Sequence, residues 1–294
     1  MKRFIVQIIL FFALVVGVDV LFGFTVDTLF SKAKGGEKAK LFHLGNRLDE
    51  DVVIMGSSRA YRHYNPQILE DSLSLTVYNA GCSSMGIICN YGFYKLFTQK
   101  HKPKLIIYEV YDLDFVKDDY SMYLSNLRPF RRTPELRDYI AQFEPTDRYK
   151  TMSSLYSYNT NWVYIIQENT LPSMSLYKGY QPYLGEIKKD PVKAEWKQEL
   201  DSLKYELMKS FVFNCKKDGI AVLLAISPYY WGKCEWLDWA NTLSEECGVE
   251  LLNYSEDKDF SFNKTLFVDP YHMNEKGSDL YSQRIANRIK EFYQ

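Results

Sequence analysis

Residues 51–60 read DVVIMGSSRA. Val52 to Met55 form an apolar run with no polar alternation, the pattern of a strand covered on both faces, as in a parallel sheet. The run stops at Gly56, and two serines and Arg59 follow at once. In open α/β sheets functional groups stand at the carboxyl ends of strands. A serine at this point is therefore a candidate nucleophile, and the rest of the chain must supply its base.

Working outward, residues 75–79 (LTVYN), 104–110 (KLIIYEV), 220–227 (IAVLLAIS) and 249–253 (VELLN) also read as strands. Helical spacing joins Trp196, Leu200, Leu203, Leu207 and Phe211, and again Tyr281, Ile285, Ile289 and Phe292. Residues 85–97 and 236–247 read as helices too. This alternation predicts a three-layer α/β/α sandwich around a parallel sheet. Residues 118–190 depart from it: they show no strand pattern and crowd tyrosines into LYSYNTNWVYII and SLYKGYQPYLG. We read a helical insertion after the third strand, on the rim of the sheet, whose aromatics suit either sugar stacking or the packing of a small subdomain. Arg128, Arg131 and Arg132 in RPFRR suit an anionic substrate or a solvated face.

The N-terminus sets a boundary. Lys2 and Arg3 precede a run from Phe4 to Phe24 broken by Gln7 and Asp19, and about 20 apolar residues are what a helix needs to cross a bilayer. Residues 1–30 are expected to be an uncleaved membrane anchor, because the run is longer than a signal-peptide core and Ser31-Lys32-Ala33 lies far beyond it. Residues 31–43 read as a polar tether and 44–294 as the folded domain. Lys2 and Arg3 would stay in the cytoplasm, placing the domain on the exported side. The chain of 294 residues carries 36 basic and 37 acidic side chains, which gives no electrostatic reason to bind nucleic acid. Its five cysteines lack a CxxC pair, so simple zinc and dithiol sites are excluded and one thiol at least is expected to be free.

Four histidines can be tested as the base. His43 lies near the tether and His101 in the polar connection QKHKPK. His63 follows the serines closely and, with Arg59, is a candidate substrate-binding residue or an ordinary loop residue. His272 stands in FVDPYHMNEKG, three residues after Asp269 and just before a helical pattern. A D-x-x-H turn lets the carboxylate meet one ring nitrogen and leaves the other facing outward, as a general base requires.

Taken together, these blocks resemble the SGNH/GDSL hydrolase superfamily from about Asp51 to the C-terminus. Its Gly-Asp-Ser block looks like Gly56-Ser57-Ser58, which implies Ser58 as nucleophile. Serine in the middle position resembles the membrane-anchored D-alanyl transfer proteins and related exported acyltransferases. The resemblance further implies Asp269 and His272 as the other triad members, with the Ser58 and Gly81 N–H groups as the oxyanion hole. The family's third block, Gly-x-Asn-Asp, has no counterpart in IIYEVYDLDF, so a side-chain oxyanion donor is missing there. Glu109, Asp112 and Asp114 in that stretch read as an acidic turn in preference to a metal site. The resemblance implies no metal or organic cofactor. It implies an exported serine esterase or O-acyltransferase, acting on an acylated carbohydrate or cell-envelope glycan and anchored in the inner membrane. A membrane acyl-donor protein would be a further partner. The rival is a non-catalytic glycan-binding or assembly module on the same fold.

Overall fold

The computed structural model describes the chain except residues 160, 172–176, 190, 193–197, 233, 235 and 294, and except the side chains of 292 and 293. Along the chain run α1 (Lys2–Lys32), α2 (Gly36–Asn46), β1 (Val52–Gly56), α3 (Ser58–His63), α4 (Pro66–Leu73), β2 (Val77–Asn79), α5 (Ile87–Phe97) and β3 (Leu105–Glu109). Next come α6 (Ser121–Leu124), α7 (Pro134–Phe143), α8 (Asp147–Lys150), α9 (Ser154–Tyr158) and α10 (Asn161–Thr170). The chain closes with α11 (Ser202–Lys217), β4 (Ala221–Ile226), α12 (Leu237–Cys247), β5 (Glu250–Asn253) and α13 (Glu275–Tyr293). Its contacts gather into two compact units, one of residues 1–46 with 120–174 and one of 47–119 with 175–294.

The second unit is an α/β/α fold around a parallel sheet. Its five strands are all parallel, in the order β2-β1-β3-β4-β5. The connection out of β1 leads to β2 on one side while β3 lies on the other, so the end of β1 is the topological switch point of the sheet. Period-two geometry divides each strand between two layers. Val52, Ile54, Leu105, Ile107, Leu223 and Ala225 share a core with Tyr281, Ile285 and Ile289 of α13. On the opposite face Tyr108 meets Phe211 of α11, with ring centroids 5.3 Å apart. Every residue of β1 and β3 is buried, which accounts for their unbroken apolar runs.

The helix at α11 differs from the expected stripe. Trp196 lies outside the described residues, Leu200 precedes the helix as a bridge partner of Val116, and Leu203 is 44% exposed. The buried face is Lys204, Met208, Phe211, Val212 and Cys215. A lysine can lie there because its ammonium donates to the Leu113 and Val116 carbonyls and to Asp118, the pairing that burial of a charge demands.

In the first unit, residues expected to be tether are mostly helical, since α2 begins at Gly36. The carboxylate of Glu168 on α10 accepts the backbone N–H groups of Lys38 and Ala39, each at 3.0 Å, which caps the first turn of α2. Helix α1 presents Asp19, Gly23, Asp27 and Phe30 along one face. Asp19 accepts from the Ser153 hydroxyl and from the backbone N–H groups of Ser154 and Leu155 at 2.6–2.9 Å, capping α9. Asp27 accepts from Arg132 at 2.9 Å and from the Tyr158 hydroxyl. A Cβ on Gly23 would lie 2.2 Å from Ser154 Oγ, so only glycine allows this approach. Before Asp19 the helix is a different object: its apolar side chains are exposed on all sides, Phe4, Leu10, Phe11 and Leu14 among them. By length and composition α1 is able to cross a membrane. All five cysteines are free thiols.

Candidate active site

The turn after β1 separates the two serines. Gly56 has φ +137°, and a Cβ there would lie 2.6 Å from the Glu109 carbonyl oxygen, so the sharp exit toward the serines requires glycine. Ser57 is buried and its hydroxyl has no partner among the described residues. Ser58 opens α3 and is half-buried. Its Oγ lies 2.8 Å from Nε2 of His272.

The loop before α13 holds that histidine by its own backbone. Asp269 Oδ1 accepts from the N–H groups of Tyr271 and His272 at 2.8 and 2.9 Å. The same carboxylate reaches His272 Nδ1, with Oδ2 at 2.9 Å. Since a carboxylate accepts, Nδ1 carries the proton and Nε2 faces Ser58 with its lone pair. Burial raises the Asp269 pKa, but the His272 hydrogen bond and charge, together with the two N–H groups, outweigh it and hold the pKa below the usual carboxylate value. A loop from the returning end of the insertion flanks the pair. The Tyr183 ring meets His272 edge-on at 5.5 Å, and Arg62 lies over the rings of Tyr61 and Tyr183 while donating to the Gln181 carbonyl.

Arg59 and His63, expected to meet substrate, do not face the cleft: both are fully buried. Arg59 pairs with Glu109 at 3.0 Å and donates to the Ser227 hydroxyl and the Tyr271 carbonyl. Its guanidinium lies 3.6 Å from the Tyr229 ring centroid. Glu109 also accepts from Tyr64, from Ser227 N–H and from the Ser227 hydroxyl. His63 accepts the Met273 N–H at Nε2, so its Nδ1–H donates to Ser227 Oγ at 2.8 Å. Burial first, then the charges of Arg59, His272 and Arg62, push the His63 pKa well below its ordinary value. Arg59 and His63 thus grip the backbone on either side of His272, at Tyr271 and at Met273. They fix the loop that carries His272.

Gly81 departs from expectation as well. Its N–H donates to Asn79 Oδ1 at 3.1 Å, an Asx-type turn that engages the donor assigned to the oxyanion. Asn79 is itself fixed by donating to the carbonyls of Ala60 and Tyr64. The acidic stretch after β3 is also committed elsewhere. Glu109 serves Arg59, and Asp114 accepts from the Tyr108 hydroxyl and the Tyr111 N–H. Burial pushes Asp112 up to about 6 and Asp114 up to about 7. Among the described residues no group of three His, Cys, Asp or Glu side chains is disposed to hold a metal ion.

Sequence reasoning placed Glu109 in an acidic turn without its partner Arg59, and missed Ser227 and Tyr183. Glu109 ending an apolar strand was visible as a buried charge in need of a partner. Ser227 and Tyr183 carried no signal of their own.

No protein-family model matches the sequence, and no curated protein does. Solved structures similar to the chain include a GDSL-like lipase from Bacteroides thetaiotaomicron, 12% identical over 82% of this chain and 87% of that one, with a TM-score of 0.40. Others are an acetyl xylan esterase (13%, covering 82% and 98%, TM-score 0.40) and a point variant of an acetyl-xylooligosaccharide esterase from Geobacillus (10%, covering 82% and 94%, TM-score 0.42). At such identities and TM-scores the likeness transfers no chemistry. The functional reading rests on the geometry of Ser58, His272 and Asp269.

Proposed function

We propose that the chain is a membrane-anchored, exported serine esterase or O-acyltransferase acting on acyl esters of an envelope glycan. The observation that carries this reading is the 2.8 Å contact between Ser58 Oγ and a His272 whose other nitrogen is held by Asp269. In the reaction, Ser58 Oγ attacks the acyl carbonyl carbon and its proton passes to His272 Nε2. Asp269 keeps Nδ1 protonated and stabilises the imidazolium that forms. His272 then returns the proton to the departing alkoxide, leaving an acyl-serine. Water, or a sugar hydroxyl deprotonated by the same nitrogen, releases the acyl group, which gives hydrolysis in the first case and transfer in the second. The Ser58 N–H, free of an intrahelical acceptor at the start of α3, is the backbone donor to the oxyanion. The exposed apolar run of α1 and the Tyr183 ring at His272 support a carbohydrate acceptor of the cell envelope, and a membrane acyl-donor protein would supply the group for transfer.

The engaged Gly81 N–H favours one rival, a glycan-binding module without turnover, because loss of one oxyanion donor costs about 10²–10³ in rate. Release of acetate from an O-acetylated oligosaccharide by the full chain, with Ser58→Ala at background, supports the enzyme. Saturable binding of the same oligosaccharide with no acetate released by either form supports the rival.

A further inference from the structure

The first unit contains a cavity of about 450 Å³ lined by Val20, Gly23 and Phe24 of α1 on one side and by Arg131, Arg132 and Arg137 on the other, with Thr151, Met152 and Ser154 closing it. Three guanidiniums in one cavity against the apolar flank of a helix are unusual, because mutual repulsion favours spreading them unless an anion is expected. Two carboxylates lie close by. Asp27 pairs with Arg132, and Asp19 faces the amides of α9. The group therefore keeps one positive charge in excess. Arg131 donates to Ser154 Oγ and lies over the Tyr158 ring, while the exposed Arg137 has no side-chain partner among the described residues.

The height of the cavity along α1 identifies what fills it. From Phe4 to Phe24 the helix advances about 30 Å, at ~1.5 Å per residue, the thickness of a bilayer's hydrocarbon core. The arginines thus stand at the level where the apolar run ends and lipid headgroups begin. Exposed Tyr149, Met152 and Trp162 lie on the same unit, and Trp162 meets Phe22 of α1 at 6.3 Å, as aromatic side chains do at membrane interfaces. The cavity shares Val20 and Phe24 with an apolar face of α1 that continues past Gly17 and Val16 to Phe12. A basic cavity next to an exposed apolar helix face matches the polar head and apolar tail of a phospholipid.

We propose that this cavity holds the phosphodiester headgroup of an anionic membrane phospholipid, with an acyl chain along the Phe12–Phe24 face of α1. The excess positive charge selects a lipid of net charge −1 over a zwitterionic one. The proposal rests on α1 being a membrane anchor, which carbonate extraction of membranes tests separately. A chain released by carbonate refutes the anchor and the lipid site together. A retained chain leaves the lipid site to be judged alone.

The full chain, reconstituted in nanodiscs of equal phosphatidylglycerol and phosphatidylcholine and released into native mass spectrometry, is expected to keep one phosphatidylglycerol at least about tenfold more often than phosphatidylcholine. Arg131→Gln with Arg137→Gln should cut that retention at least about tenfold. Arg137→Gln alone should cut it several-fold while leaving thermal melting and labelling of Ser58 unchanged, which guards against a folding defect in the double variant. Equal retention of the two lipids, or undiminished retention in the Arg137→Gln chain, overturns the proposal.

Discussion

The two units use their carboxylates in different ways. In the unit around the sheet, Glu109 and Asp269 each tie side chains as well as backbone: Glu109 holds Arg59 and Ser227, and Asp269 holds the His272 ring together with the N–H groups of Tyr271 and His272. In the unit around α1, Asp19 and Glu168 work on backbone, each closing the first turn of a helix about 130 residues away. The first arrangement fixes a reactive geometry. The second fastens α1 to α9 and α2 to α10. On the proposed function, catalysis and assembly of the fold fall to different carboxylates, and substitutions should separate them.

The largest expected effect is on chemistry. His272→Ala should lower acyl-ester turnover by about 10⁴-fold or more, and Asp269→Asn by about 10³–10⁴-fold, because the ring then loses its oriented tautomer. Melting of either variant should stay close to that of the parent, measured by circular dichroism. Arg59→Ala should differ from Asp269→Asn by costing stability as well. It leaves Glu109 buried without its charge partner and should cost about 3–5 kcal/mol by denaturant unfolding. Turnover should fall as well, since the Tyr271 carbonyl loses its donor.

What was legible in the sequence follows the range of the interactions involved. Strands β1, β3 and β4 announced themselves because both faces are buried, and the Asp269-His272 turn is local, with the carboxylate binding backbone two and three residues on. Arg59 and His63 looked like cleft residues because they neighbour Ser58. Their burial depends on Glu109 and Ser227, which lie 50 and 168 positions from Arg59. Asp19 read as an interruption of an apolar run, since nothing near it reveals that Ser153 to Leu155 supply its donors. The helical face of 200–211 was misjudged for a related reason: Lys204 is buried by carbonyls of a loop that precedes it by some 90 residues.

Smaller effects test the other side of the contrast. Asp19→Ala should free the N-terminus of α9 and destabilise the first unit by about 1–2 kcal/mol. The observable is faster proteolysis within residues 147–158, with turnover of a soluble acyl ester unchanged. Loss of turnover in Asp19→Ala would break the separation of roles.

The smallest effect is a pH dependence. His63 is held neutral in the folded chain, with its pKa depressed below the unfolded value near 6.5. The unfolded chain therefore binds the extra proton first, and this contribution to stability is complete above about pH 6.5 and declines as pH falls below it. His63→Gln should flatten the slope of unfolding free energy in that window, read from urea melts at a series of pH values.

The central claim is that Ser58 is a nucleophile activated by His272. Full-length chain treated with a fluorophosphonate and digested should carry the adduct mass on Ser58, with Ser57 unmodified, and the label should vanish in Ser58→Ala and fall steeply in His272→Ala. An unlabelled parent chain, or a label that persists undiminished in Ser58→Ala, would contradict it.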